Sequence, residues 1–170
     1  MQIINIPGGY EPKELKLLQS FIQKLDCEGV ILEIGTARGR SFINMAMVTN
    51  RKMVSIDPHI TGSLETFKSY IQQLKLENRT EIIVDYSENV KWDGRKIAFL
   101  HIDGAHDYEH VSYDFCHYQQ YIPTGGYVAF HDNKLRYLLD VNRVVVNEVP
   151  LFGFELVGRE GQTIIFQKES

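Results

Sequence analysis

Apolar positions along this chain fall into two alternating periodicities. Leu15, Leu18, Ile22 and Leu25 recur at the three- and four-residue spacing of a helix face. They follow Glu11-Pro12, where a proline in the first helical turn costs little because that N–H has no intrahelical partner. Gly29 closes the segment. Val30-Ile31-Leu32-Glu33-Ile34 then reads as a strand and Gly35-Thr36-Ala37-Arg38-Gly39 as a tight glycine turn, with Phe42, Met45, Ala46 and Thr49 marking the buried stripe of the next helix. Met53–Ile56 predicts a second strand, followed by a helix carrying Leu64, Phe67, Ile71 and Leu74. Glu81–Val84 and Ile97–Ile102 are the third and fourth strands. Tyr108, Val111, Phe115 and Tyr118 define a helix that stops before Pro123, and Tyr127–Phe130 is the fifth strand. A weaker helical stretch covers Leu135 to Val146. Phe152–Val157 and Thr163–Gln167 flank Gly158-Arg159-Glu160-Gly161, which reads as a hairpin turn.

Strands alternating with amphipathic helices predict an α/β protein of parallel βαβ units with helices on both faces. The strands are short, nearly continuous apolar runs, as a sheet covered on both sides requires. Only the terminal hairpin demands an antiparallel pair. The chain of 170 residues shows no repeat, low-complexity tract or long linker, so one domain spanning 1–170 is expected. Composition then removes several classes of function. Net charge is −4 and no basic stripe occurs, which argues against a nucleic-acid partner held by phosphate contacts. No apolar run approaches the ~20 residues of a membrane span, and the first residues lack the pattern of a signal peptide. Cys27 and Cys116 form no CxxC pair, so a reducing, cytoplasmic setting is expected rather than a disulfide framework or zinc site.

The acidic residues carry the chemistry. Glu33, Asp57, Asp85, Asp103 and Asp132 each stand at or beside the carboxyl end of a different predicted strand, where open α/β sheets bind their ligands. Helix capping would account for one or two of them; five on one rim would repel each other without hydroxyls, cations or N–H groups between them. The glycine turn departs from the dinucleotide fingerprint, since Ala37 replaces its second glycine and the third is out of register. Glu33, two residues ahead of Gly35, suits an ammonium group better than a pyrophosphate. Asp57 suits a ribose, or alternatively a cap on the turn ahead of Pro58. His101 lies in an apolar strand and reads as core. Asp114, mid-helix among aromatics, reads as a buried hydrogen-bonding group, and Trp92 as surface packing or a cover for a base.

Taken together, Glu33-Ile-Gly-Thr-Ala-Arg-Gly39, Asp57-Pro58, Ile102-Asp-Gly-Ala-His-Asp-Tyr-Glu109, Pro123-Thr-Gly-Gly126 and Phe130-His-Asp-Asn133 resemble class I S-adenosylmethionine-dependent methyltransferases. The likeness is to the branch of macrocin O-methyltransferase and cephalosporin hydroxylase-like proteins. It implies a Rossmann-like seven-stranded sheet in the order 3-2-1-4-5-7-6, strand 7 antiparallel. Residues 1–28 would form an N-terminal helical segment, 29–133 the cofactor-binding core, and 134–170 a helix plus the hairpin. S-adenosyl-L-methionine would lie against Gly35, Ala37 and Gly39, with Glu33 near its amino group and Asp57 on its ribose. Asp85, Tyr86 and Ser87 would lie at its adenine, and His59 would flank the adenine or the ribose.

The resemblance further implies a cation. Asp103 and Asp132, with Asn133, match the ligand pattern of catechol-type magnesium-dependent O-methyltransferases; related proteins use the residue before the second aspartate, here His131. Carboxylates and an amide suit Mg²⁺ or Ca²⁺, whereas a histidine shifts preference to Mn²⁺, Fe²⁺ or Zn²⁺. Asp103 and Asp132 rank first, Asn133 second and His131 third. His106 would accept the proton released by an acceptor hydroxyl, or else cap or orient the helix starting near Asp107. The expected reaction is O-methyl transfer to a small hydroxylated molecule such as a sugar. An accessory, non-catalytic binder on the same fold is the alternative, and an NAD-dependent oxidoreductase ranks behind both. With so little chain left to build an acceptor pocket, the cleft is expected to be open, completed by a second subunit, or no longer efficient in catalysis.

Overall fold

The computed structural model describes residues 2–133 and 139–169. The first helix, α1 (Pro12–Ile22), begins where the sequence places it: Glu11 and Glu14 exchange backbone and carboxylate bonds in a capping box, with Pro12 in the first turn. It ends at Ile22, so the residues up to Gly29 form a loop rather than further helix. Alternation then runs through β1 (Val30–Ile34), α2 (Arg40–Ala46), β2 (Met53–Ile56), α3 (Leu64–Gln73), β3 (Thr80–Ile83), β4 (Ile97–Ile102), α4 (Tyr108–Tyr118) and β5 (Tyr127–Phe130). Next come α5 (Leu139–Asn147), β6 (Phe154–Glu160) and β7 (Thr163–Lys168). The start of the helix expected from Leu135 lies outside the described residues.

The strands form one seven-stranded sheet in the order β3-β2-β1-β4-β5-β7-β6. β1 to β5 are parallel, and β7 runs antiparallel to both β5 and β6. The hairpin differs from expectation. β6 continues through Gly158, Arg159 and Glu160, with a register shift between Leu156 and Gly158, and the turn is only Gly161-Gln162. The glycines read as a turn are partly a bulge: a Cβ at Gly158 would stand 2.7 Å from the Phe21 ring, so α1 packs directly onto this strand.

Period-two alternation divides the core. Leu32, Ile34, Leu100 and Ile102 face a cluster built with Val111, Phe115 and Tyr118 of α4 and Val141, Val144 and Val145 of α5. Ile31 and Phe99 face the opposite cluster, with Leu15 and Leu18 of α1, Phe42 of α2 and Phe67 of α3. Glu33 and His101 point to the second side, and parallel register sets them opposite one another on β1 and β4. β1 to β5 all end at the same edge, where Asp57, Asp85, Asp103 and Asp132 follow β2, β3, β4 and β5; Glu33 of β1 is fully buried instead.

Candidate active site

The turn after β1 is dictated by close approach. Gly35 has φ +88°, and a Cβ there would lie 2.1 Å from the Asp103 carbonyl oxygen. The chain leaving β1 therefore runs against the chain leaving β4, and only glycine fits. Gly39, the N-cap of α2, has φ +86° and no room beside Phe67. Asp57 secures this turn from β2, since its two carboxylate oxygens accept the Ala37 N–H at 2.7 Å and the His59 N–H at 2.6 Å. The cap expected on the turn around Pro58 is thus present. His59 is held by Ser63 at 2.8 Å; burial lowers its pKa against the opposing charge of Asp57.

A cleft of about 440 Å³ opens above these turns, within the size range of small-molecule sites. Gly35 and Ala37 lie at its base, Asp57, Pro58 and Ile60 along one side, and Asp85, Tyr86 and Ser87 along another. Ala105, His110 and Asp114 line it from the β4 edge and α4. Asp85 accepts hydrogen bonds from the Tyr86 N–H and the Asn89 amide. The Ser87 hydroxyl donates to Asp114, and burial, opposed by that bond, pushes the Asp114 carboxyl up to about 7. A second cleft of about 300 Å³ shares Gly35, Ala37, Thr61 and Asp103 with the first, and is lined by Pro7, Gly8, Gly9, Tyr10, Arg38 and Arg40 among others.

Beyond Asp103 the rim becomes an acidic and imidazole corner. Ligand atoms of Asp103, His131 and Asp132 lie within 4.8 Å of one another. His131 Nδ1 is 3.1 Å from Asp103 and 3.4 Å from Asp132, and its Nε2 is 3.6 Å from Glu14. Burial alone would lower the His131 pKa; the bonds to Asp103, Asp132 and Glu14 outweigh it and lift it to about 11. His106 Nε2 stands 3.0 Å from Asp132, which raises the imidazole pKa, while bonds from His106 and His131 hold Asp132 well below the usual carboxylate range. Asp132 adopts the left-handed φ of +55°, an uncommon backbone state that aspartate tolerates better than most residues. Asn133 is buried, and neither atom of its amide has a hydrogen-bond partner among the described residues. Glu14 closes the corner. It accepts the Gln162 N–H at 2.6 Å and the Glu11 N–H at 2.7 Å, bonds that with His131 lower its pKa against the effect of burial.

The structure thus gathers Gly35, Ala37, Asp57, Asp85 and Ser87 on the cleft and Asp103, His106, His131 and Asp132 at the corner. Glu33 is placed differently from its expected position. It is fully buried below the turn, its Oε1 is 2.7 Å from His101 Nδ1, and it lines neither cleft. Gly39 shapes α2 and lines neither cleft either. His106 does not cap α4, because Asp107 accepts the His110 N–H there. Trp92 is packed against Tyr118 in the core rather than on the surface, and takes no part in the cleft. Tyr10, Glu14 and Arg40 were not anticipated. The Glu11-Pro-Lys-Glu14 capping pattern was the available signal for Glu14, and a lone polar His101 inside an apolar strand was the signal for a buried partner.

A sheet of this order with its ligand cleft at the carboxyl edge is the class I methyltransferase architecture. Residues 32–133 match the model of a family described as Methyltransferase domain, and the chain belongs to that family. Among solved structures it is similar to the O-methyltransferase NovP, with a TM-score of 0.80 at 16% identity over 93% of this chain and 80% of that one. It is also similar to an O-methyltransferase from Bacillus cereus in complex with SAH, with a TM-score of 0.70 at 19% identity over 94% and 83% of the two chains. A curated relative is an uncharacterized protein of Acanthamoeba polyphaga mimivirus, 33% identical over 115 residues. That match takes in 59% of this chain and spans half the length of the viral protein.

Proposed function

We propose that the protein transfers a methyl group from S-adenosylmethionine to the hydroxyl of a small acceptor, assisted by a divalent cation. The observation that carries this reading is the continuity of the adenosine-sized cleft with the corner of Asp103, His131 and Asp132, because Asp103 belongs to both. The similar B. cereus enzyme is in complex with SAH, which supports the cofactor. When bound, the cofactor supplies an electrophilic methyl group on a sulfonium. Asp57 would hold the ribose hydroxyls with the lone pairs left over from its two N–H bonds, and Asp85, Tyr86 and Ser87 would enclose the base. Ile56, Pro58 and Ile60 would give the bound cofactor an apolar wall.

The corner fits a cation on its own chemistry. Two carboxylates and an imidazole converge, and the next residue in the chain, Asn133, is buried with an amide that has no hydrogen-bond partner among the described residues. An oxygen-rich set with one nitrogen suits Mg²⁺ or Mn²⁺; such an ion would orient the acceptor hydroxyl and lower its pKa. His106, turned by Asp132, would take the hydroxyl proton at the ring nitrogen that Asp132 leaves free. Calorimetric titration with S-adenosylhomocysteine tests the assignment. Asp57→Asn keeps an acceptor for the Ala37 N–H, and is expected to weaken binding roughly tenfold, about 1.4 kcal/mol. Asp103→Ala is expected to bind adenosylhomocysteine within about threefold of the parent, less than 1 kcal/mol, and to lose Mn²⁺. A wild-type chain that ignores adenosylhomocysteine would sink the reading.

A further inference from the structure

A chain of side chains that the reaction above does not use runs from the sheet interior to the corner. Glu33 Oε1 is 2.7 Å from His101 Nδ1, His101 Nε2 is 3.0 Å from Tyr10 Oη, and the phenol donates to Asp103 Oδ2 at 2.8 Å. Glu33 and His101 are fully buried and Tyr10 nearly so, so solvent does not compete for the two inner bonds, and only the Asp103 end meets the cleft. A phenol carries one proton. Given to Asp103, it leaves the phenol oxygen as an acceptor facing His101 Nε2; because Glu33 Oε1 accepts at Nδ1, both ring nitrogens then carry a proton. With Oδ2 of Asp103 taken, Oδ1 is the oxygen that faces His131 at 3.1 Å. The phenol ring itself stacks on the His131 ring, centroids 3.9 Å apart at 28°. The Tyr10 carbonyl accepts from Arg40 Nε at 3.0 Å, which fixes the backbone to α2.

We infer that Tyr10 is a positioning residue for the cation corner: its phenol, backed by His101 and Glu33, turns Oδ1 of Asp103 toward His131 and Asp132, and its ring sets the plane of the His131 imidazole. Tyr10 thus touches two of the three converging ligands without being one. A phenol needed only for packing would be satisfied by His101 alone; the second bond, to Asp103, is what makes the contact directional. Partners of this kind typically govern metal affinity by roughly 10–100-fold. The inference rests on the divalent-cation reading above.

Tyr10→Phe keeps the ring, the stack and the burial and removes only the hydroxyl. Mn²⁺ titrated into the full chain and followed by electron paramagnetic resonance is expected to bind the variant roughly 10–100-fold more weakly. Adenosylhomocysteine affinity, measured alongside by calorimetry, is expected to stay within about twofold, because Tyr10 is absent from the main cleft. Equal Mn²⁺ affinity in parent and variant overturns the inference and leaves the cation reading standing. A parent that binds adenosylhomocysteine but no Mn²⁺ overturns both. A measurement on the unaltered protein decides the case even where the variant folds poorly. Long-range nitrogen–proton NMR of the histidine rings is expected to show His101 protonated at Nε2. A bare Nε2 would mean that the phenol donates to His101 instead of Asp103, and the inference falls.

Discussion

The Asp114 carboxyl, deep in the cleft wall, makes folding stability depend on pH. Its pKa of about 7 in the folded chain lies above its ordinary value, so the native state holds a proton that the unfolded state has released. The contribution is complete below about pH 4 and is lost as pH rises to about 7, at most roughly 4 kcal/mol at ~1.4 kcal/mol per unit. Urea unfolding at pH 5 and pH 8 is expected to show the part of this loss that falls between about pH 5 and 7, roughly 3 kcal/mol in the parent, and Asp114→Asn to flatten it. His101 and Glu33 make a second prediction. Removing one partner leaves the other buried without compensation, and one Glu33 oxygen already has no hydrogen-bond partner among the described residues. His101→Leu is therefore expected to cost about 3–5 kcal/mol by urea unfolding, and Tyr10→Phe about 1–2 kcal/mol.

Among the elements, the turn after β1 is the least tolerant. A methyl group at Gly35 meets the Asp103 carbonyl and a φ that side chains avoid. Gly35→Ala is expected to cost about 2–4 kcal/mol and to abolish adenosylhomocysteine binding, read by chemical unfolding and calorimetry. This element was legible in the sequence because glycine at a strand exit has few other reasons to be there. The acidic strand tips were legible for the same reason of position. Glu33 was not: a carboxylate one residue before the end of β1 looks like a tip residue, but the pleat turns it inward onto His101. The β6 boundary was missed because Gly158 marks a bulge under Phe21 while reading as a turn. Tyr10 lies in a segment of Pro and Gly residues without periodicity, and its partners are 91 and 93 positions away; no local pattern announces such contacts.

For the molecule as a whole, ligand binding to the native state alone raises stability by mass action, about 2.7 kcal/mol at a hundredfold excess over Kd. Adenosylhomocysteine is expected to raise the melting temperature of the parent and of Asp103→Ala alike, and Mn²⁺ that of the parent only; thermal melts with each ligand check both. A shift with Mn²⁺ in Asp103→Ala would move the cation elsewhere. The bond from the Gln162 amide to Glu14 joins residues 148 positions apart, so the first helix is fastened to the final hairpin. Closures of that span come late in folding, after nearer contacts have formed. A chain still emerging from the ribosome would thus own the cleft beside Asp57 and Asp85 while the corner of Asp103, His131 and Asp132 waited for the last two strands. In the mature protein, amide exchange at Gln162 would clock how often that corner comes undone.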